Sequence, residues 1–250
     1  MSLIRPTLSQ VLQYGKPAVP AAGELPWESR RAGRPFDPSQ IAGLELDLWA
    51  SRGVVLSGSN VTSWTDFAEG AVFTSGGTVP VFNATGLGGK PTIDFTGTQS
   101  LTATVAIAAG DRTWYLWVDV LDTVATRIHF GLTLTGAGRQ YLYQTNPSGN
   151  VGFFDGTSVR SFGASATGGQ SLIWRLVSGG TSEGYRAGAS IGTSATAALV
   201  ATDGAVGGRN PTVAAQFANM RVGRLLSYSG NHDAATRAQI LGWGVSFYGV

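Results

Sequence analysis

The fold is decided by the stretch Thr113-Trp-Tyr-Leu-Trp-Val-Asp-Val120, close to the middle of the chain. Its residues Trp114, Leu116 and Val118 alternate with their neighbours, and a period of two is typical of a strand with one buried face. On both sides of this stretch, from residue 41 onward, short β-branched and aromatic runs are separated by clusters of Gly, Asn, Asp and Ser. Short strands at regular spacing predict an all-β, antiparallel sandwich over residues 41–250.

These runs also give the predicted bounds of the elements. The predicted strands are Leu44–Trp49, Ala71–Thr74, Thr92–Phe95, Leu101–Thr104, Arg112–Val120, Arg127–Leu134, Arg139–Gln144, Val151–Phe154, Ser158–Phe162, Gln170–Ser178, Gly184–Ala189, Ala197–Val200 and Gln216–Ser227. One C-terminal helix is predicted from Asn231 to Trp243, because it opens on good N-cap residues and an early Asp. We expect Ala235, Ala238 and Leu241 on one face of this helix, with Ile240 beside them.

Composition excludes several classes of protein. The chain has 250 residues, of which 43% are hydrophobic and 13% charged, with 36 glycines and no cysteine. Disordered chains combine low hydrophobicity with high net charge, so this chain is expected to fold. The glycines follow no three-residue period, which excludes collagen, and the lack of cysteine excludes disulfide scaffolds and Cys-ligated zinc. No run of 18 or more apolar residues is present, and no membrane insertion is therefore expected.

Residues 1–40 differ from the rest of the chain. They hold six of the ten prolines, which excludes long helices and central strands there. They also carry the net charge of +2, because residues 41–250 contain 12 basic and 12 acidic residues. We predict an extended attachment arm that docks on a partner, with a disordered leader as the alternative. The residues predicted to contact the partner are Ile4, Leu8, Leu12, Tyr14, Trp27, Arg30, Arg31, Arg34 and Phe36.

The distribution of basic residues indicates whether nucleic acid is a partner, and the N-terminal sequence indicates whether a secretory signal is present. Only Lys16 and Lys90 are lysines, and the arginines after residue 40 are widely spaced, so nucleic acid is not an expected partner. Pro6, Gln10, Gln13 and Lys16 interrupt the apolar run that a secretory signal requires. We therefore expect synthesis in the cytoplasm.

Several spaced motifs resemble one known family. They are Leu46-Asp-Leu-Trp-Ala50, Asn60-Val-Thr-Ser-Trp-Thr-Asp-Phe-Ala-Glu-Gly70, Gly89-Lys-Pro-Thr-Ile-Asp-Phe-Thr-Gly-Thr-Gln-Ser-Leu101, Ser171-Leu-Ile-Trp-Arg-Leu-Val177, Gly184-Tyr-Arg-Ala-Gly188 and Met220-Arg-Val-Gly-Arg-Leu-Leu-Ser-Tyr228, followed by the closing segment 234–249. In this order they resemble the concanavalin A-like lectin and glucanase superfamily, most of all its LamG-type members in phage virion and bacterial surface proteins. The resemblance implies a jelly-roll sandwich, a fold that hosts lectins, hydrolases and structural modules.

Residues within these motifs have expected structural tasks. Trp64 is expected in the core, and Asp66 is expected to accept hydrogen bonds from amides of the following turn. Gly97 permits a positive φ directly after a buried Phe95. The chain departs from the family at Thr96, where Asp is usual, and at Ala187-Gly188, where Asn-Gly is usual. These departures weaken the expectation of a metal-binding loop.

Catalytic chemistry has few candidate residues. Glycosidases of this fold need two carboxylates on one strand face, and the only candidate pair is Glu45 and Asp47. It lies on the opening strand, and Trp49 occupies the position of a third carboxylate. The two histidines, His129 and His232, are isolated, so no triad or metal cluster is recognisable. We expect no catalytic residues, no metal and no cofactor.

Aromatic and polar residues in one stretch of hairpins suggest a glycan site. Sugars stack on exposed aromatic rings and bind amide, carboxylate and guanidinium groups. The candidate residues are Tyr141, Tyr143, Asn146, Asn150, Asp155 and Arg160. The alternative is that alternate residues of this stretch pack the sandwich and the rest meet a neighbouring subunit.

Together, these features predict a non-enzymatic structural or interaction protein in the virion of a tailed phage or phage-like particle. It would be a surface decoration, fibre or receptor-binding subunit, anchored by its arm to capsid or tail proteins. We expect a homo-oligomer, and host surface glycan is a further candidate partner. The alternative is a carbohydrate-binding adhesion module, and the third hypothesis is a glycan hydrolase.

Overall fold

Seventeen strands and one α-helix make up the described part of the chain. The computed structural model describes residues 36–75, 77–105, 107, 109–124, 126–132, 140–199, 203–206 and 217–250. The predicted arm residues before Phe36 lie outside this set, and the β-rich unit spans Asp37–Val250. The predicted all-β class with one C-terminal helix is confirmed.

The elements have the following bounds. The strands are β1 (Leu44–Trp49), β2 (Val54–Ser57), β3 (Asn60–Thr65), β4 (Val72–Thr74), β5 (Val81–Asn83), β6 (Thr92–Thr96), β7 (Leu101–Thr104), β8 (Arg112–Val120), β9 (Arg127–Leu132), β10 (Gln140–Thr145), β11 (Asn150–Phe154), β12 (Val159–Ala164), β13 (Gly168–Leu176), β14 (Thr181–Arg186), β15 (Ala189–Ala195), β16 (Asp203–Val206) and β17 (Asn219–Ser229). The helix is α1 (Ala234–Tyr248), and single 3-10 turns lie at Pro38–Gln40 and Leu87–Gly89.

The strands form two antiparallel layers. In the back sheet the order is β15–β14–β13–β8–β17, and β1 and β6 share the far edge of β17. In the front sheet the order is β2–β3–β4–β7–β16–β9–β10–β11–β12. Strand β5 pairs with β6 and, through a single bridge between Asn60 and Val81, with β3. All seventeen strands are thereby joined in one hydrogen-bonded network.

The core lies between the two sheets. Trp114, Leu116 and Val118 share the core face of β8 as predicted, because all are at most 1% exposed and belong to the central cluster. The other face of β8 is buried as well, with Trp117 packed against Trp243 of α1. From the front sheet, Phe130 packs against Trp114 with ring centroids 4.9 Å apart. The indole N–H of Trp174 crosses the core and donates to the carbonyl oxygen of Gly152 at 3.0 Å. Burial of these large rings, together with the aliphatic residues around them, contributes hydrophobic stabilisation to the sandwich.

The expected tasks of Trp64, Asp66 and Gly97 are confirmed. Trp64 is fully buried, and Gly97 has a φ of 86° directly after the buried Phe95. The Asp66 carboxylate accepts from the amides of Ala68 at 3.0 Å and Glu69 at 2.8 Å. It also accepts from the amide of Asp47 at 2.6 Å, so this one side chain ties the β3–β4 turn to β1.

The helix differs from its predicted form. It begins after Asp233, whose carboxylate accepts from the amide of Thr236, and it runs beyond Trp243 to end at Gly249 with a φ of 76°. Ala235 and Ala238, predicted on the packing face, are exposed. The buried face is instead formed by Ile240, Gly244 and Tyr248. Alanine offers little apolar area, whereas the larger side chains farther along the helix bury much more surface against the back sheet.

One predicted strand is absent and its neighbours are displaced. Of the predicted strand Ala197–Val200, the described residues 197–199 are not in a strand. The strands in this region are β14 and β15, which form a hairpin from Thr181 to Ala195. Small residues fill β15, so its sequence lacks the β-branched and aromatic pattern from which a strand is predicted.

Candidate functional site

The outer face of the back sheet is closed by α1 around a buried arginine. The Arg224 guanidinium lies between the rings of Trp49 and Trp243, at 4.5 and 4.6 Å from their centroids. Its Nε and Nη2 donate to the Asp47 carboxylate at 2.8 and 2.7 Å, and Nη2 also donates to Asp37 at 3.1 Å. Burial alone lowers the pKa of Arg224, but these carboxylates raise it overall. This arrangement, the Arg224 clamp, fills the space between Trp49 of β1 and Trp243 of the helix.

Both carboxylates considered for hydrolysis form ion pairs with buried arginines, and only Asp47 belongs to the Arg224 clamp. Asp47 is 1% exposed and bound to Arg224, as described above. Glu45 accepts from the Nε of Arg112 at 3.3 Å, and Arg112 is itself buried. Both carboxylates are therefore engaged by arginines beside the back sheet, where they stabilise the fold.

The outer face of the front sheet has no helix over it in the described structure. Strand register aligns one residue from each strand in a continuous row. In strand order the row is Val55, Ser63, Thr74, Thr102, Ala205, Gly131, Tyr141, Phe154 and Val159. Eight steps between neighbouring strands give it a length of roughly 38 Å. We call this row the front-face row.

The front-face row is exposed at its two ends and buried in between. Val55 is 55% exposed at one end and Val159 is 40% exposed at the other. Thr74 is exposed as well, whereas Gly131 is buried and Tyr141 is only 3% exposed. Accessible hydroxyl groups and an accessible aromatic edge therefore lie on the same sheet face, on either side of a covered centre.

An aromatic cluster stands at the β10–β11 end of the row. Tyr141 stacks on Phe154 with centroids 5.5 Å apart and an interplanar angle of 17°, and it meets Tyr143 edge-on at 6.2 Å. Tyr143 is 5% exposed and Phe154 is half-buried. The two predicted tyrosines thus lie side by side, but the ring that solvent reaches is that of Phe154. The alternation of Val151 and Phe153 into the core identifies Phe154 as outward-facing, and the adjacent Phe153 conceals this signal in the sequence.

Asn146 and Asn150 shape the β10–β11 turn. The Oδ1 atom of Asn146 accepts from the amides of Ser148 at 2.9 Å and Asn150 at 3.1 Å. Its Nδ2 donates to the hydroxyl of Ser161 on β12 at 2.7 Å. Asn146 is 1% exposed, and its hydrogen bonds link the turn between β10 and β11 to β12. Asn150 is partly exposed.

Asp155 and Arg160 form a separate pair. The Asp155 carboxylate accepts from Arg160 Nε at 2.7 Å and from the amides of Ser158 and Ala197 at 2.8 and 3.0 Å. Burial raises the pKa of Asp155, but these hydrogen bonds lower it overall. Arg160 is opposite Phe153 in register, and Phe153 belongs to the core. The six residues of the predicted glycan site therefore do not share one face, because Arg160 lies on the other side of the sheet from Tyr141.

A cleft of about 630 Å³ lies where the end of α1 meets the Leu87–Gly89 turn. A Cβ atom on Gly88 would lie 1.9 Å from the carbonyl oxygen of Tyr248, so glycine is required for this contact. Asp119 is the one charged residue among the described residues that line the cleft, and its carboxylate accepts from Arg221 Nη1 at 3.0 Å. The described lining residues therefore offer one carboxylate side chain, whereas an acid–base mechanism of glycoside hydrolysis needs two.

His129 is buried and His232 is half-buried, and for both the effect of burial on the pKa dominates, although Asp233 opposes it at His232. The Nδ1 of His129 lies 3.0 Å from the sulfur of Met220, inside the sandwich. The Nδ1 of His232 lies 2.8 Å from the hydroxyl of Tyr115. Burial lowers the pKa of His129 to about 3 and that of His232 to about 4. Within the described ranges, no three His, Asp or Glu side chains cluster as metal ligands, and no helix has the length and apolarity to cross a membrane.

These pKa values give an expected dependence of stability on pH. An unfolded histidine titrates near pH 6.5, so between about pH 6.5 and pH 4 the unfolded chain binds more protons than the folded chain. The free energy of unfolding should therefore fall as the pH drops through this window, by about 1.4 kcal/mol per pH unit for the fully buried His129. Urea unfolding at several pH values measures the slope. A His129→Leu variant should lose the contribution of His129, about 1.4 kcal/mol per pH unit, and keep that of His232, so an unchanged slope would contradict the assignment.

No family model and no curated protein matches this sequence. The fold is similar to solved structures of β-sandwich domains. Domain 4 of AbnA, a GH43 extracellular arabinanase from Geobacillus stearothermophilus in complex with arabinotriose, gives a TM-score of 0.63 at 14% identity, over 79% of this chain and 98% of that domain. The Trypanosoma rangeli sialidase in complex with sialic acid gives 0.56 at 13% identity, over 83% of this chain.

A third similar structure is the binding domain of botulinum neurotoxin serotype D/C, with a TM-score of 0.53 at 9% identity over 80% of this chain. This chain spans 35% of the sialidase and 52% of the toxin domain. The structural neighbours are thus β-sandwich domains of the lectin and glycosidase kind. The protein has their fold, and the resemblance predicted from its motifs is confirmed to that extent.

Proposed function

We propose that the protein is a non-catalytic β-sandwich module that binds carbohydrate on the outer face of its front sheet, at Phe154. The observation that carries this proposal is the contrast between the two outer faces. Helix α1 and the Arg224 clamp close the back face, whereas the front face keeps an accessible aromatic ring, and hydroxyl-bearing residues lie farther along the same face. Sheet faces that combine an aromatic ring with a few polar groups are typical of ligand sites.

The chemistry of the front-face row favours a neutral sugar. Phe154 offers a ring face, and Tyr141 stacked against it fixes its orientation. Ser63, Thr74 and Thr102 supply hydroxyl groups that donate and accept hydrogen bonds. No residue of the row carries a charge, so an acidic sugar would find no cationic partner within it.

The structural neighbours support carbohydrate as the general class of ligand, and the arabinanase domain supports a neutral one. Domain 4 of the arabinanase matches almost over its full length and is in complex with arabinotriose. The sialidase is in complex with sialic acid. The engagement of Glu45 and Asp47 by arginines supports the non-catalytic part of the proposal.

Titration calorimetry with arabinotriose and a panel of other neutral oligosaccharides tests the proposal. At least one should bind, and Phe154→Ala should weaken it about tenfold, which is about 1.4 kcal/mol of lost stacking. Phe67→Ala is the matched control, because Phe67 is 48% exposed in the β3–β4 turn, away from Phe154. Absence of binding across the panel, equal binding by Phe154→Ala, or cleavage of the bound sugar would each overturn the proposal.

A second function, attachment to a particle, is favoured by the place where the β-sandwich begins. The Asp37 carboxylate accepts from Arg224 at 3.1 Å and from Arg52 at 3.3 Å, and the carbonyl oxygen of Pro38 accepts from the Tyr228 hydroxyl at 2.8 Å. The chain is therefore fastened on the back sheet, opposite the front face. We propose that residues 1–36 attach the module to a larger assembly such as a phage virion. Their prolines and their net charge support this.

Two truncations test the attachment. Deleting residues 1–36 keeps Asp37 and should leave thermal stability unchanged while abolishing incorporation into particles. Deleting residues 1–38 removes the contacts of Asp37 and Pro38 as well, and should lower the melting temperature. Particles that still incorporate the shorter deletion would contradict an attachment role for residues 1–36.

A further inference from the structure

Exposed apolar side chains concentrate at one end of the front sheet. Among the large hydrophobic residues exposed in the described chain, five lie between β2 and β5. They are Val55 at 55%, Leu56 at 42%, Phe67 at 48%, Val72 at 51% and Val81 at 37% exposure. Such concentration on a folded protein is typical of an interaction surface, whereas single exposed hydrophobic residues need no explanation. We call these five residues the β2 strip.

The β2 strip follows the edge of the sheet. Phe67 lies over the start of β2, because a Cβ on Gly53 would be 2.8 Å from its ring. Val55 and Leu56 form the middle of β2. Val81 lies past the other end, where it bridges to Asn60. A partner that pairs along β2 would therefore cover apolar groups from one end of the strand to the other.

Strand β2 has the properties of an edge that is covered in the native assembly. Among the described strands it pairs with β3 alone. Its residues Val54, Val55, Leu56 and Ser57 include no lysine and no proline, which are the usual means by which an exposed edge is kept from pairing. The register shift against β3 adds its extra residue, Thr62, on the β3 side, so β2 itself remains a regular strand.

The charge pattern identifies the partner. Residues 53–65 and 71–81 contain no charged residue, and the exposed charges beside Phe67, those of Arg52 and Glu69, are of opposite sign, so two copies of this edge meet with little like-charge repulsion. A two-fold axis pairs any edge strand with itself in antiparallel fashion and closes the assembly at two copies. We infer that a second copy of this chain docks here, β2 against β2, and joins the two front sheets into one.

The area of the strip sets the expected strength. The five side chains expose roughly 400 Å² of apolar surface, about half of the ~800 Å² that a standard interface buries on each partner. The backbone of the two β2 strands and the polar residues next to them supply the rest of the buried area, and the two strands form hydrogen bonds with each other. The interface is therefore expected to be weak, with a dissociation constant of about 1–100 µM.

Sedimentation equilibrium of the full chain over a range of concentrations tests the inference. The wild-type chain should pass from monomer to dimer, and Val55→Lys should weaken the dimer at least about tenfold, because a charge at the edge loses its hydration. Val124→Lys is the matched control, since Val124 is 89% exposed and lies in the β8–β9 loop. Circular dichroism confirms that both variants are folded.

If Val55→Lys does not fold, a cross-linking experiment still tests the dimer. The chain has no cysteine, so Leu56→Cys and Val124→Cys each introduce a single thiol. A short bis-maleimide should link Leu56→Cys into dimers and leave Val124→Cys monomeric. A monomer at every concentration, a trimer, or a dimer indifferent to Val55→Lys would overturn the inference. None of these outcomes depends on carbohydrate binding at Phe154.

Discussion

Replacing Arg224 with methionine is expected to lower the free energy of unfolding by about 3–5 kcal/mol. Arg224 is fully buried, and its guanidinium is the partner of the Asp47 carboxylate, which is 1% exposed. Methionine fills a similar volume but leaves that carboxylate buried and unpaired. It also removes the cation held between Trp49 and Trp243, to which α1 is packed. Urea unfolding followed by tryptophan fluorescence measures the change.

Two controls separate the buried charge from general damage. Arg52→Met removes an ion pair with Asp37 in which the arginine is 44% exposed, so it should cost less than about 1 kcal/mol. Adding Asp47→Leu to Arg224→Met should restore part of the lost stability, since no unpaired charge then remains. A loss below about 1 kcal/mol for Arg224→Met alone would contradict the structural role of the clamp.

Gly244→Ala should also be strongly destabilising, by about 1–3 kcal/mol, although alanine is the better helix former. A Cβ atom at this position would lie 1.7 Å from the Nε1 of Trp117. The helix lies directly on the indole because residue 244 has no side chain, so a methyl group would force α1 away from the back sheet. Thermal unfolding measures the effect.

Gly242→Ala is the matched control, two residues away in the same helix. A Cβ there has nothing within 4 Å, and Gly242 is exposed. The same substitution should therefore stabilise the protein by about 0.5–1 kcal/mol, since glycine in a helix interior loses more backbone entropy. Equal effects at the two positions would show that α1 does not pack on Trp117 as described.

Hydrophobic alternation was sufficient to predict the strands with large side chains. The bounds of β1, β7 and β8 agree with prediction, and Asp66 and Trp64 have their expected tasks. The hairpin of β2 and β3 is not in the predicted set, because Ser57 to Asn60 reads as a turn within a longer loop. Similarly, Gly242 and Gly244 suggest an early end to α1. Tertiary contacts decide both cases, since Trp117 requires a glycine where propensity alone disfavours one.

The candidate site was less accessible to sequence reasoning. The alternation in β10 places Tyr141 and Tyr143 on one face, and the structure brings them together. Two further facts depend on long-range packing: that these rings are buried, and that Arg160 faces away from them across the sheet. The strand pairing is one reason, because Val159 aligns with Phe154 and Tyr141, and the next residue, Arg160, therefore faces the opposite side of the sheet.

In a module tethered through residues 1–36, as proposed above, the Arg224 clamp would be among the first contacts to bear an applied force. It joins Asp37, where the described chain enters the sandwich, to Trp243 of the closing helix, and both contacts lie on the same sheet face. A pull transmitted through the residues before Asp37 therefore reaches the back sheet at an ion pair with a buried arginine. The hairpins that carry Phe154 lie in the other layer. If residues 1–36 tether the module as proposed, we expect tension to reach the back sheet before the front face.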